Sequence, residues 1–232
     1  MDLSLYLVTD RSLSRGRTLE EIVRAAIAGG VTTIQLREKE ASTADFHALG
    51  LIVRDLTRAA GVTFIVNDRL DIALACSADG VHVGQDDMPA AVARRLIGPD
   101  RILGVTAADA EQARLAVEAG ADYIGCNAVW ATPTKTDTGA PLGTAGLRDL
   151  VADSEAPVVA IGGIKAANAP DVLATGVAGI AVVSAICSAE NPEAAARELR
   201  RVVDTNLNPD PYQNESGAGH KPVRKRIVND AG

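Results

Sequence analysis

Aromatic side chains are scarce in this 232-residue chain, at 3% of positions, which argues against a surface that stacks bases. Positive charge is not in excess either. With 23 Lys and Arg against 30 Asp and Glu the net charge is −7, which excludes a protein that grips nucleic acid or an anionic membrane through bulk charge. Only three cysteines occur, Cys76, Cys126 and Cys187. They are far apart and odd in number, so they form neither a metal-binding pair nor a disulfide framework and read as buried thiols in a reducing cytosol. No uninterrupted apolar stretch is long enough to span a bilayer, and Met1-Asp2-Leu3-Ser4 begins no signal segment. The expectation is a soluble, cytoplasmic protein acting on small molecules, with no nucleic-acid or membrane partner. The sequence leaves the oligomeric state open, a homo-oligomer included.

What is present is apolar residue, 47% of the chain, enough for one sizeable core. Short β-rich runs recur at Leu5 to Thr9, Thr33 to Leu36, Thr63 to Val66, Val81 to Val83, Ile102 to Val105, Tyr123 to Cys126, Val158 to Ile161 and Ile180 to Val183. Alanine-rich segments with helical periodicity lie between them, among them Leu19 to Ala28, Phe46 to Ala60, Ala108 to Ala119 and Ala166 to Thr175. Glycines mark several helix-to-strand joints (Ala28-Gly29-Gly30-Val31, Ala78-Asp79-Gly80-Val81, Ala119-Gly120-Ala121-Asp122, Thr175-Gly176-Val177-Ala178-Gly179), as suits a left-handed residue at a helix end. Eight such units predict an α/β fold, a single (β/α)8 TIM barrel over residues 1–206. The alternative is a doubly wound open sheet, weakened because no Gly-x-Gly-x-x-Gly follows the first strand. Residues 207–232 read as a polar, disordered tail.

Each strand end carries a different polar cluster, and in a parallel barrel those ends share one face, where ligands bind. Asp68 after the third strand and Asp87 after the fourth bring hard carboxylate oxygens to neighbouring positions, which suggests Mg2+ completed by substrate phosphate and water. Arg37, Lys39 and Lys135 are cations at strand ends, accompanied by the amide of Asn67 and the hydroxyls of Thr132 and Thr134. A metal site, cations and neutral donors together describe a diphosphate cradle. Gly162-Gly163 after strand seven and Ser184 after strand eight stand where barrels often hold a phosphate. His82, between valines, and His47, on a helix, read as structural, with His82 close enough to Asp87 in sequence to support a metal site. Cys126 reads as an inert thiol, since no paired base is visible.

Gln35-Leu36-Arg37-Glu38-Lys39, Asn67-Asp68, Val81-His82-Val83-Gly84-Gln85-Asp86-Asp87 and Thr132-Pro133-Thr134-Lys135, in this order, resemble the thiamine phosphate synthase family from Leu5 to Leu199. That family joins an aminomethylpyrimidine diphosphate to a thiazole phosphate. The resemblance implies that Gln35, Leu36, Arg37, Glu38, Lys39, Asn67, Thr106 and Lys135 hold the pyrimidine diphosphate. It likewise implies that Asp68 and Asp87 bind Mg2+, and that Thr132, Pro133, Thr134, Gly163, Val183 and Ser184 contact the thiazole phosphate. The implied mechanism is dissociative, with Arg37, Lys39, Lys135 and Thr106 acting at the reacting centre and no protein nucleophile. Thr106 departs from the family's commoner serine, keeping the hydroxyl, and Cys126-Asn127 replaces what is commonly a Gly-Pro type pair. Thiazole tautomerase, a relative on the same barrel, needs no diphosphate machinery, so Asp68, Asp87, Lys39 and Lys135 favour the synthase. A non-catalytic phosphate sensor would have lost such residues.

Overall fold

In the computed structural model, which describes residues 1–126, 128–131 and 141–207, every apolar run named above becomes a strand. They are β1 (Leu5–Val8), β2 (Thr33–Leu36), β3 (Thr63–Asn67), β4 (Gly80–Val83), β5 (Ile102–Ala107), β6 (Tyr123–Cys126), β7 (Val158–Ile161) and β8 (Gly179–Val182). All neighbouring pairs are parallel and follow chain order. β8 returns to β1 with Leu5 opposite Ile180, which closes the barrel and excludes the open sheet.

The helices are α1 (Leu19–Ala28), α2 (Thr43–Ala60), α3 (Leu70–Ala75), α4 (Ala90–Ile97), α5 (Ala110–Glu118), α6 (Gly143–Asp153), α7 (Ala169–Leu173), α8 (Ser184–Cys187) and α9 (Pro192–Leu207). Their starts are encoded locally. Thr18 and Glu21 cap α1 reciprocally, each side chain satisfying the other's backbone N–H, and Ser42 caps α2 through Asp45 N. α1 buries Leu19, Ile22, Val23 and Ala26 and α9 buries Pro192, Ala196, Leu199 and Val203, the one-sided spacing that lets a helix cover a sheet.

Strand residues alternate between two cores because the side-chain period is two. Leu5, Leu7, Ile34, Leu36, Phe64, Val66, Val81 and Val83 belong to the layer under the helices. Tyr6, Val8, Ile65, Tyr123, Val159 and Ala181 fill the barrel interior. One joint departs from the expected pattern. Between α3 and β4 the left-handed residue is Ser77, with φ 54°, and Gly80 instead begins β4, where a Cβ would stand 2.3 Å from the Ile102 carbonyl oxygen. α9 ends at Leu207; the tail assigned to 207–232 lies, beyond that residue, outside the described residues.

Burial gives this fold an alkaline limit. It pushes the Cys126 thiol up to about 12 and the Cys187 thiol up to about 11, and it raises the Tyr6 and Tyr123 phenols. In the unfolded chain a thiol loses its proton near pH 8.5. From there upward the folded form binds more protons than the unfolded chain, so stability falls as pH rises. We expect a melting temperature that is flat to about pH 8 and then declines toward the tyrosine range. A melting temperature that rose between those limits would contradict the burial of these groups.

Candidate active site

The C-terminal strand ends enclose a cavity of about 460 Å³. Its wall includes Gln35 of β2, Arg37 and Lys39 after that strand, Asn67 and Asp68 at β3, and Asp87 after β4. Thr106 of β5, Gly163 after β7 and Val183 and Ser184 after β8 complete the set. Loops far apart in sequence therefore meet as the spacing predicted. Leu36 and Glu38 do not line the cavity. Leu36 is fully buried in the layer under the helices. The Glu38 side chain, 5% exposed, is gripped by Arg11, whose Nε donates to Oε1 at 2.8 Å and to Oε2 at 2.9 Å. That fork ties the loop after β1 to the loop after β2. Asn127, Thr132, Pro133, Thr134 and Lys135 lie outside the described residues.

Arg37 is held from the same side. Its N–H donates to Thr9 Oγ1 at 3.1 Å, and its Nη1 is 3.5 Å from Asp10 Oδ2, both side chains being mostly shielded from solvent. Asp10 in turn accepts from the Ser12 N–H at 3.0 Å. The backbone and guanidinium of Arg37 are thus both held by the loop after β1 rather than left to sample solvent.

Asp68 sits at φ 61°, in the left-handed region, a conformation that costs a non-glycine residue about 1–3 kcal/mol and clusters at functional sites. Two backbone bonds enforce it: Asp68 N to His82 O at 2.8 Å and Arg69 N to Asn67 O at 2.7 Å. The first crosses from β3 to β4 and so fixes one aspartate relative to the strand that leads to the other. Asp87 Oδ2 accepts from the Gly84 N–H at 2.7 Å, which orients that carboxylate across its own loop. Among the described residues no group of three or more His, Cys, Asp and Glu side chains is gathered for a metal ion. Two carboxylates beside cations are a partial donor set, the kind Mg2+ completes with phosphate and water.

Below the charged rim runs a chain of hydrogen bonds that the sequence did not announce. Gln35 Nε2 donates to Tyr6 Oη at 2.8 Å; Tyr6 and Tyr123 hydroxyls are 2.9 Å apart. Tyr123 Oη lies 3.0 Å from His82 Nδ1, and His82 Nε2 lies 2.9 Å from Thr106 Oγ1. Gln85 Nε2 donates to the Thr106 carbonyl at 2.5 Å. Glycines make the room. A Cβ at Gly104 would stand 2.2 Å from Tyr123 Cζ and 2.4 Å from His82 Nδ1, and one at Gly125 would stand 2.8 Å from His82 Cε1. His82 is therefore a wall residue of the cavity rather than only a strand filler. The signal in the sequence was a polar tip at inward positions of apolar strands.

On the opposite side, Gly162 and Gly163 have φ of 108° and 69°, and a Cβ at Gly162 would fall 2.6 Å from Ala128 Cβ. The turn presses against residues 128–130, where Val129 N donates to Ile161 O and Trp130 N to Gly162 O. Lys165, exposed on the same loop, also lines the cavity and was not singled out by its sequence context. Cys126 is buried among the residues under the helices, and its raised thiol makes it a poor nucleophile.

Residues 5–186 match the family model of thiamine monophosphate synthase, TMP-TENI. A thiamine-phosphate synthase from Chloroflexus aurantiacus is 55% identical over 203 residues, 88% of this chain and 94% of the relative. One from Moorella thermoacetica is 53% identical over 199 residues, 86% and 95% of the two chains. The solved structure of thiamine phosphate pyrophosphorylase from Pyrococcus furiosus is 45% identical, covers 89% of this chain and 98% of its own, and has a TM-score of 0.83. A 3-hexulose-6-phosphate synthase, at 19% identity and a TM-score of 0.62, shares the fold alone.

Proposed function

This chain belongs to the thiamine monophosphate synthase family, and on that premise we infer that its cavity joins an aminomethylpyrimidine diphosphate to a thiazole phosphate. The products are thiamine phosphate and diphosphate, and the chain is a transferase. One observation carries the reading at the level of residues: Arg37, Lys39, Asp68, Asp87 and the Gly162-Gly163 turn all face one cavity, so cations, carboxylates and a turn without side chains converge on a volume suited to two small phosphorylated molecules.

The step to be helped is departure of diphosphate from the pyrimidine methylene carbon, after which the thiazole nitrogen takes that carbon. Negative charge grows on the leaving group, so donors aimed there before reaction act on the transition state more than on the bound substrate. Arg37, braced by Thr9 and Asp10, is such a donor. Lys39 adds a second positive charge at the rim, and Asn67 and Thr106 offer neutral contacts to the pyrimidine. Across the cavity, Gly162 and Gly163 carry no side chain to keep a phosphate from the backbone N–H groups, and Ser184 opens α8 beside them.

Asp68 and Asp87 are the residues that would hold Mg2+. When bound there, the ion would offset the charge of the diphosphate. The carboxylates fit that task because one is fixed to the neighbouring strand through its backbone and the other to its own loop. No protein nucleophile is needed, because the new bond forms between the two substrates alone.

We place the protein in the cytoplasm. Cys76, Cys126 and Cys187 are free thiols, and no helix among the described residues is long and apolar enough to cross a membrane. Steady-state kinetics of Lys39→Ala test the assignment of the cavity's two sides. We expect kcat/KM for the pyrimidine diphosphate to fall about 100-fold with the KM for the thiazole phosphate nearly unchanged. A loss that fell only on the thiazole phosphate would reverse the assignment.

A further inference from the structure

We propose that Tyr6, Tyr123 and His82 are positioning residues that fix the hydrogen-bonding polarity of the pyrimidine pocket, making the Thr106 hydroxyl a donor and the Gln35 side-chain carbonyl an acceptor. This rests on the functional reading above and extends it to a specific edge of the substrate.

The polarity follows from counting hydrogens along the chain. Gln35 Nε2 donates to Tyr6 Oη at 2.8 Å. Tyr6 then has its own hydrogen to give, and the acceptor 2.9 Å away is Tyr123 Oη. Tyr123, having accepted, donates onward to His82 Nδ1 at 3.0 Å. A neutral imidazole that accepts at Nδ1 carries its proton at Nε2, and Nε2 faces Thr106 Oγ1 at 2.9 Å. Thr106 accepts that proton's bond, which leaves its hydroxyl hydrogen for the cavity it lines.

The direction is stable for two reasons. Tyr6 and Tyr123 are 2% and 1% exposed, so reversing one bond between them leaves the next group without its partner. Both phenols are also held protonated by burial, so neither ionises to break the sequence of donors. The Thr106 backbone is fixed separately by Gln85.

At the far end, the bond from one Gln35 Nε2 hydrogen to Tyr6 orients the amide and leaves its carbonyl oxygen as an acceptor for ligand, beside the second Nε2 hydrogen. An aminopyrimidine offers the matching pair, an exocyclic amino donor and a ring nitrogen that accepts. A hydroxypyrimidine in its keto form reverses part of that pattern, and a pocket whose polar groups are preset rejects such an analogue because buried partners are left unpaired.

The test is nitrogen NMR of the full chain labelled with 15N-histidine at neutral pH without substrate. There are three histidines, and His47→Gln and His220→Gln identify their own signals, leaving His82. The expected result is a pyridine-type shift at Nδ1 and a pyrrole-type shift at Nε2. The opposite tautomer, or an imidazolium, overturns the proposal. Tyr123→Phe, checked for folding by circular dichroism, removes the donor to Nδ1. We expect it to give mixed tautomers and to lower kcat/KM for the pyrimidine diphosphate about tenfold, with the KM for the thiazole phosphate within about twofold of wild type. Unchanged tautomer and unchanged kinetics overturn the proposal. If that variant does not fold, Tyr6→Phe breaks the chain one bond earlier and is read in the same way. Wild-type protein with the expected tautomer but no thiamine phosphate formation supports the hydrogen-bond chain and overturns the functional reading instead.

Discussion

Asp87→Ala is expected to lower the rate of thiamine phosphate formation by about 100- to 1,000-fold, the effect of removing one preorganised contact to developing charge. The side chain is exposed at the cavity rim, so its removal opens no hole in the core, and the melting temperature should stay close to wild type. Two roles meet in this residue. Its carboxylate caps the Gly84 N–H at 2.7 Å and, in our reading, holds Mg2+ with Asp68. Asp87→Asn separates them, because an amide oxygen still accepts from Gly84 but carries no charge. If metal binding dominates, Asn is nearly as damaging as Ala, and both variants recover part of their rate when Mg2+ is raised. If loop capping dominates, Asn is close to wild type and added Mg2+ does nothing, which would remove Asp87 from the metal site.

Gly104→Ala carries the largest expected cost in stability. The new methyl would stand 2.2 Å from Tyr123 Cζ, 2.3 Å from Tyr123 Oη and 2.4 Å from His82 Nδ1. These distances are far inside contact, and either ring can move away only by breaking the hydrogen bonds that hold it. Tyr123 is 1% exposed and bonded to both Tyr6 and His82. Overpacking of this kind costs about 3 kcal/mol, which for a domain of this size lowers the melting temperature by roughly 6–12 °C. Activity should fall as well, since the displaced rings carry the chain that ends on Thr106. A shift under about 2 °C by calorimetry would mean that the barrel interior is looser than these contacts describe.

The barrel was legible because its signals are local and repeated. Runs such as Thr33–Leu36 and Val158–Ile161 have strand-forming residues with turn signals on both sides, and amphipathic spacing recurs between them. No local signal places Ser77 rather than Gly80 in the left-handed position after α3. Ser77 takes it because α3 closes there, with Ser77 N bonded to Leu74 O and Ala78 N to Ala73 O; the glycine at 80 answers to the Ile102 carbonyl of β5 instead, and a contact between strands is invisible in a window of sequence.

The charged part of the candidate site was legible for a related reason: a cation or carboxylate in the loop that follows an apolar strand has no helix face to decorate, so Arg37, Lys39, Asp68 and Asp87 stood out. What aims them did not. Arg11 reaches Glu38 and Asp10 reaches Arg37 across gaps in sequence that spacing does not encode. Tyr6 and Tyr123 look like core residues in the sequence because they largely are. Only closure of the barrel brings their hydroxyls within 2.9 Å and turns two buried aromatics into part of a polar chain. Glu38 illustrates the converse. Its place inside Gln35 to Lys39 suggested ligand contact, whereas the fold spends its carboxylate on Arg11.

The most direct measurement is a mass-spectrometric assay of the purified chain with the aminomethylpyrimidine diphosphate and the thiazole phosphate, run with Mg2+ and again with excess chelator. Thiamine phosphate is expected in the first reaction and a return toward background in the second. Folded protein that left both substrates intact in the presence of Mg2+ would contradict the proposed function.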